Sequence, residues 1–414
     1  MRTLHIVLPI ITVAALFLSC GKGTVDPMGF KVPEVAPDLT ESQLEMSDDI
    51  STCGLDLFYD LFKDKEDDVL YSPLSLSVAL SLCGSGAMGE TQSQLAAAQG
   101  LEGYSNSQIA SYYQTVIGRL LSVDPSVKFG SANAVWVDGT MSVKNGYKSM
   151  LATYYGAEAF NVDFGAPKAV RDQINHWAST HTEGKIPQVL DEDPEPPMLL
   201  ANALSFYAGW GVAFDHELKK EAFYGSKGNT EEQYFTRTGL FGYLQTPVNT
   251  LLSIPYGNGL FEFLLILPNS NSNVQTSMMW LRSNQGAEAM KQLRNKKEGV
   301  PGGNIFVQIP RFEICCSTAG IVDALIAKGF RAPFSDKADF SGISESPLFI
   351  EKIIQKSYIS VNEKGTDAAA VSVITMATST GEDSGIPMFV ANRPFIFLIR
   401  EKGSDTILFA GLKQ

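Results

Sequence analysis

Residues 357–388 read SYISVNEKGTDAAAVSVITMATSTGEDSGIPM. The opening alternates polar and apolar side chains through Ser357, Tyr358, Ile359, Ser360 and Val361, which predicts a strand. Taken alone, TDAAA at 366–370 is a good helix start, with Thr366 as cap and alanines behind it. The continuation counts against a helix. Val371, Val373, Ile374, Thr375 and Thr378 are β-branched, and the tip is rich in Ser, Thr and Gly. The segment therefore reads as a long exposed loop whose first half is able to become a strand.

Outward from that loop, the C-terminal end is the clearest piece. FIFLI at 395–399 and TILFA at 406–410 flank the turn EKGSD, which predicts a buried hairpin. NAVWV at 133–137 and FEFLLILP at 261–268 read as buried strands, and INHW at 174–177 lies on a helix. Ile50, Cys53, Gly54, Leu57, Phe58, Leu61 and Phe62 share a helical face, so a first helix is expected to begin near Asp48 or Asp49. A second starts with Ser72 as cap and Pro73 in its first turn, and runs through LSLSVALSLCGSG. No repeat or internal linker interrupts 48–414, which points to one large α+β domain.

The N-terminus is expected to be an address label. Arg2 precedes the apolar run IVLPIITVAALFL at 6–18, which is short for a membrane span. LSCG at 18–21 resembles a bacterial lipoprotein cleavage box with Cys20 as the lipid-bearing residue; an ordinary secretory signal is the alternative. Residues 1–19 are then a signal peptide. Residues 20–47, carrying Pro27, Pro33 and Pro37, form a flexible tether. The chain is expected to be exported, either secreted or held on the bacterial envelope (periplasmic or cell surface), touching membrane only through the lipid on Cys20.

Composition removes other classes. Over 414 residues the formal charge is −13, so no cation excess exists to neutralise nucleic acid, and a heparin-like activator is disfavoured. With 44% hydrophobic residues and only five cysteines, a packed core rather than a disulfide scaffold must hold the fold. Catalytic apparatus is sparse. His176 and His181 lack ligand-spaced partners, and His216 is followed by Glu217 but not by the second histidine of a zinc helix. There is no G-x-S-x-G elbow, phosphate loop or C-x-x-C. The adjacent Cys315 and Cys316 read as buried strand cysteines. A hydrolase or metalloenzyme is disfavoured, and no metal or cofactor is implied.

At this point a family resemblance becomes specific. EKGTDAAA at 363–370 resembles the hinge of inhibitory serpins, and FVANRPFIF at 389–397 resembles their C-terminal signature. NALSFYAGW at 202–210 with Phe214, TEGKIP at 182–187, Leu267 with Pro268, and ADFSG at 338–342 match further serpin blocks in order. The resemblance spans essentially all of 49–414. It implies the serpin fold: three β-sheets with a large central sheet A, about eight or nine helices, and an exposed reactive-centre loop at about 363–388. It also implies a monomeric inhibitor, not an enzyme, that traps a serine-type endopeptidase as a suicide substrate.

The resemblance gives the trap its parts. Glu363, Gly365, Thr366, Ala368, Ala369, Ala370 and Ser372 form the hinge, which inserts as a new strand into the central sheet after acyl-enzyme formation. Insertion requires one buried face at period two. Thr366, Ala368, Ala370 and Ser372, then Ile374 and Met376, supply it, while Asp367 falls on the other face. Family spacing puts the scissile bond between Ser379 and Thr380; Met376, Ala377 and Thr378 are alternatives. No Lys or Arg occurs from Gly365 to Asn392, so a trypsin-like pocket has no cation to bind. An elastase-like or subtilisin-like protease is expected, or a papain-like cysteine protease.

Ser72, Ser75, Asn202, Trp210 and Gln355 are expected to govern sheet opening. Gln355 stands where serpins usually have His, Asp68 where they have Asn, Lys219 where they have Thr, and Ala208 where they have Gly. Gln355 is expected to bond Asn202 by amide pairing, preserving the switch with a different pH sensitivity.

Overall fold

The computed structural model describes residues 33–194, 198–215, 217–295, 304–366 and 385–414. Among these are nine α-helices and three sheets. The strand order of the central sheet is Phe312–Thr318, Ile353–Asn362, Gly365–Thr366, Met198–Gly209, Lys128–Asp138 and Ala157–Val162. A second six-stranded sheet ends the chain: Phe395–Glu401 and Thr406–Lys413 form the expected hairpin, buried almost throughout, beside Phe261–Pro268. A four-stranded sheet holds Met388–Val390, Ile305–Pro310, Gly228–Gly239 and Lys219–Gly225.

Period-two burial explains the layering. In Ile353–Asn362 every second residue, from Ile353 to Val361, is buried. In Met198–Gly209, Leu200, Leu204, Phe206 and Ala208 join the main core. Leu199 and Ala201 point the other way, into a second core made by Val170, Ile174, Trp177 and Ala178 of the helix Pro167–His181. The helix Pro73–Gly84 is buried along its whole length and packs on both six-stranded sheets. Ser72 caps it as expected: its Oγ accepts from the Ser75 N–H at 3.1 Å and donates to Leu408 O at 2.6 Å.

Two sequence expectations need correction. The first helix begins at Glu41, not near Asp48, because Thr40 and Gln43 form a capping box and Met46 and Ser47 are already buried. The end of the 20–47 tether is therefore helical. Just before it, Arg119 donates to Pro37 O and Asp38 Oδ1, both at 3.1 Å. Cys315 is exposed rather than buried, since the strand Phe312–Thr318 turns its odd residues outward there; Cys316 is half-buried, with its Sγ 3.1 Å from the Leu70 N–H.

Candidate functional site: the hinge and the seam it enters

The hinge begins inside the central sheet. Gly365 pairs with Asn362 on one side and Gly209 on the other; Thr366 pairs with Val361 and Ala208. Only glycine fits the first position, because a Cβ there would lie 2.0 Å from Ala208 O and φ is +150°. Thr366 is 1% exposed, and its hydroxyl bonds the Tyr256 hydroxyl. Burial holds the Tyr256 phenol un-ionised well above its ordinary range.

Trp210 closes this end of the sheet. Its indole N–H donates to Asn362 O at 2.8 Å, its backbone N–H to Lys364 O at 3.0 Å, and its ring stacks on Tyr256 with centroids 4.7 Å apart. Glu363 accepts from Arg311 Nε at 2.8 Å and Nη2 at 2.5 Å. Arg311 is in turn tied by its backbone N–H to Gln233 O, in the four-stranded sheet. Burial opposes ionisation of Glu363, but the Arg311 bonds outweigh it and hold the carboxyl below the ordinary glutamate range.

That direction fixes a pH dependence. A lowered folded-state pKa gives stability that is complete above the unfolded glutamate value, about 4.3, and is lost as pH falls through the folded one. Arg311 is partly exposed, so the pair is expected to contribute about 1 kcal/mol. Glu363→Gln should lower the unfolding midpoint at pH 7 and match the parent below pH 3. A constant difference between the two across pH 3–7 would contradict this role.

Below the hinge, the flanking strands pair directly and in parallel at Ile353 with Leu200 and Ile354 with Ala201. The same offset relates Val361 to Ala208, so the strands stay in register from one junction to the other. One residue above the lower junction lie Gln355 and Asn202, and here the expected amide pair is absent. Gln355 Oε1 accepts from the Ser72 N–H at 3.0 Å and its Nε2 donates to Ser72 O at 2.9 Å. Asn202 accepts from Ser75 Oγ and donates to Asn133 Oδ1. Both side chains thus hold the start of the helix Pro73–Gly84 rather than each other: Gln355 through the buried backbone of Ser72, and Asn202 through the Ser75 hydroxyl, with Asn133 of the adjacent strand as its other partner. None of these groups is ionisable.

Tyr256, Arg311 and Asn133 were missed by sequence reasoning. Each acts on a partner far along the chain, and no local motif marks it. Of the other departures, Asp68 accepts from Lys413 Nζ at 3.0 Å and the Gln414 N–H at 2.7 Å, while Lys219 starts an edge strand and is exposed. His181 Nδ1 lies 2.7 Å from Trp177 O, a helix-end contact, and His176 is exposed. No three-residue metal cluster exists among the described residues. Ala368, Ala369, Ala370, Ser372, Met376, Ala377, Thr378, Ser379, Thr380 and His216 lie outside them.

Among the described residues, three sheets, nine helices and a hinge start seated between two in-register strands define a fold also found in protease inhibitors. The family model described as Serpin (serine protease inhibitor) matches residues 48–413. An uncharacterized serpin-like protein of Methanosarcina acetivorans is 31% identical over 355 residues, covering 83% of this chain and 81% of its own. The leukocyte elastase inhibitor of Bos taurus is 31% identical over 370 residues, covering 86% and 96%. The native-state structure of the thermophilic serpin Tengpin is 26% identical, with TM-score 0.79, covering 91% of this chain and 95% of that one. The chain belongs to the serpin family, whose proteins act as protease inhibitors, with some non-inhibitory members, rather than as enzymes.

Proposed function

We propose that this chain inhibits an elastase-like or subtilisin-like serine protease by a one-use trap. A papain-like cysteine protease is the alternative target. The observation that carries the reading is the seated start of the hinge: Gly365 and Thr366 already bridge the two strands. Continuing that register places Ala368 between Phe206 and Ile359, Ala370 between Leu204 and Ser357, Ser372 between Asn202 and Gln355, and Ile374 between Leu200 and Ile353. Every side chain so placed toward the core is small or apolar. Because Asn202 and Gln355 hold the helix cap and not each other, Ser372 can enter without breaking a bond between them.

The protease nucleophile attacks the carbonyl carbon of Ser379, or of Met376, Ala377 or Thr378. The bond to the next residue breaks, its nitrogen takes the proton from the protease base, and an ester links loop to protease (a thioester for a cysteine protease). Insertion then carries the acylated residue away before water arrives. The absence of Lys and Arg from Gly365 to Asn392 supports the protease class, as does the name of the bovine relative. The leader 1–19 and Cys20 support export and a lipid anchor. The inhibitor acts as a monomer. Mixing the protein with pancreatic elastase or subtilisin should give a stable band near the summed mass on a denaturing gel. Loop cleavage without that band, or rapid inhibition of trypsin, would overturn the reading.

A further inference from the structure

The C-terminal foot of the loop stands on an apolar surface that the trap does not use. The chain re-enters the described structure at Gly385 and forms the edge strand Met388–Val390, parallel to Ile305–Pro310. Phe306 lies opposite Met388 on one side and Thr238 on the other, and Gly239 opposite Ile305 brings Leu240 beside the same row. Rows in a sheet alternate faces, so Leu240, Phe306, Met388, Ile386 and Val390 share the face opposite the buried Ile305, Val307 and Phe389. Met388 is 62% exposed and Leu240 52%, while Phe306, Ile386 and Val390 are partly buried. These apolar side chains share one face of the sheet, bordered at Val390 by Gln308 and its partner Glu221, and large exposed apolar side chains of this kind mark interaction surfaces.

We infer that this patch is a docking surface for the target protease itself, used before the loop is cut. The inference rests on the proposed scissile bond. From Thr380 to Gly385 at most about 18 Å of extended chain is available. A protease of about 250 residues has a radius of gyration of about 18 Å, so one seated on that bond overhangs the patch. The chemistry of the loop points the same way. With no charged residue to anchor in a specificity pocket at the cut, apolar contact beside the loop supplies affinity that the loop lacks.

The topology also dictates when the contact acts. Ile386, Met388 and Val390 lie in the fragment beginning at Thr380, and Leu240 and Phe306 in the sheet it pairs with, so the patch stays behind when the other side of the cut bond moves with the inserting strand. Patch contacts therefore strengthen the encounter complex and are lost in the trapped one. They set the rate of association and not the lifetime of the covalent complex.

The test is the double substitution Leu240→Ser with Met388→Ser, assayed on the full chain with pancreatic elastase and with subtilisin. The second-order inhibition rate is expected to fall about tenfold for the protease that the parent inhibits faster, as for truncation of exposed interface anchors. The inhibitor-to-protease stoichiometry, the covalent band and its lifetime should not change. Met388→Ser alone, at a mostly exposed position, serves should the double variant show a lowered unfolding midpoint. An unchanged rate with a normal covalent band overturns the docking surface while leaving the trap intact. So does sedimentation showing a parent dimer that the variant dissolves, or flotation of the parent with lipid vesicles that the variant abolishes. Absence of a covalent band from the parent with either protease removes the trap itself, and the docking surface with it.

Discussion

Thr366→Arg is expected to abolish the covalent complex and leave a chain that the protease cuts as an ordinary substrate. Thr366 sits between Val361 and Ala208, 1% exposed, with its hydroxyl on Tyr256. Among the described residues no carboxylate bonds Thr366 or Tyr256; the nearby acid, Glu363, is engaged by Arg311. A guanidinium has no counter-charge on the core face, so the arginine is expected to swing out and unseat the hinge in the intact chain; insertion must then bury it, at a cost of several kcal/mol. Three kcal/mol is more than a hundredfold in rate. Trapping is a race between insertion and hydrolysis of the ester, so slowing the first by that factor hands the outcome to the second. Thr366→Ser keeps the hydroxyl and the small volume and should keep the complex. A persistent band near the summed mass from the arginine variant would sink the insertion mechanism, whatever the protease.

The same position shows how far the amino-acid order carries. The period-two pattern from Ser357 and the glycine and alanines of the hinge announced a strand able to enter a sheet, because those are local properties of neighbouring residues. The caps at Ser72 and Pro73 and the closing hairpin were readable for the same reason. What could not be read was which distant groups meet the hinge. Arg311 reaches Glu363 across 52 residues, and Tyr256 reaches Thr366 across 110. Nor could the partner of Gln355 be inferred from residue type. An amide can satisfy another amide or an open helix cap equally well, and only the fold puts the Ser72 backbone nearer than Asn202. The early start of the first helix was missed because its apolar stripe begins after its capping box, and the stripe was the signal used.

Cutting the loop is expected to make the protein more resistant to heat. For most proteins a nick in a long surface loop leaves the unfolding midpoint unchanged or lowers it, since the break frees chain without adding contacts. Here the seam between the two junctions accepts residues 367–372 in one continuous register, and parting the direct pairs Ile354–Ala201 and Ile353–Leu200 extends it to 374. An inserted strand there gains on the order of ten hydrogen bonds at about 1 kcal/mol each, and buries Ile374 at about 2 kcal/mol. Ordering those residues costs about 1 kcal/mol apiece, so several kcal/mol of net stabilisation remain. Spread over a domain of this size, that raises the midpoint by at least about 5 °C. In the intact chain the gain is opposed, because the loop is anchored both at Thr366 and at the Met388–Val390 strand, and each residue inserted stretches the remainder that must return to the second anchor. Calorimetry of intact and nicked protein measures the difference directly. Nicking Thr366→Arg should produce no rise, since its first step into the seam is blocked. A nicked parent chain that melts at or below the intact midpoint would mean that the native sheet stores nothing for the hinge to release.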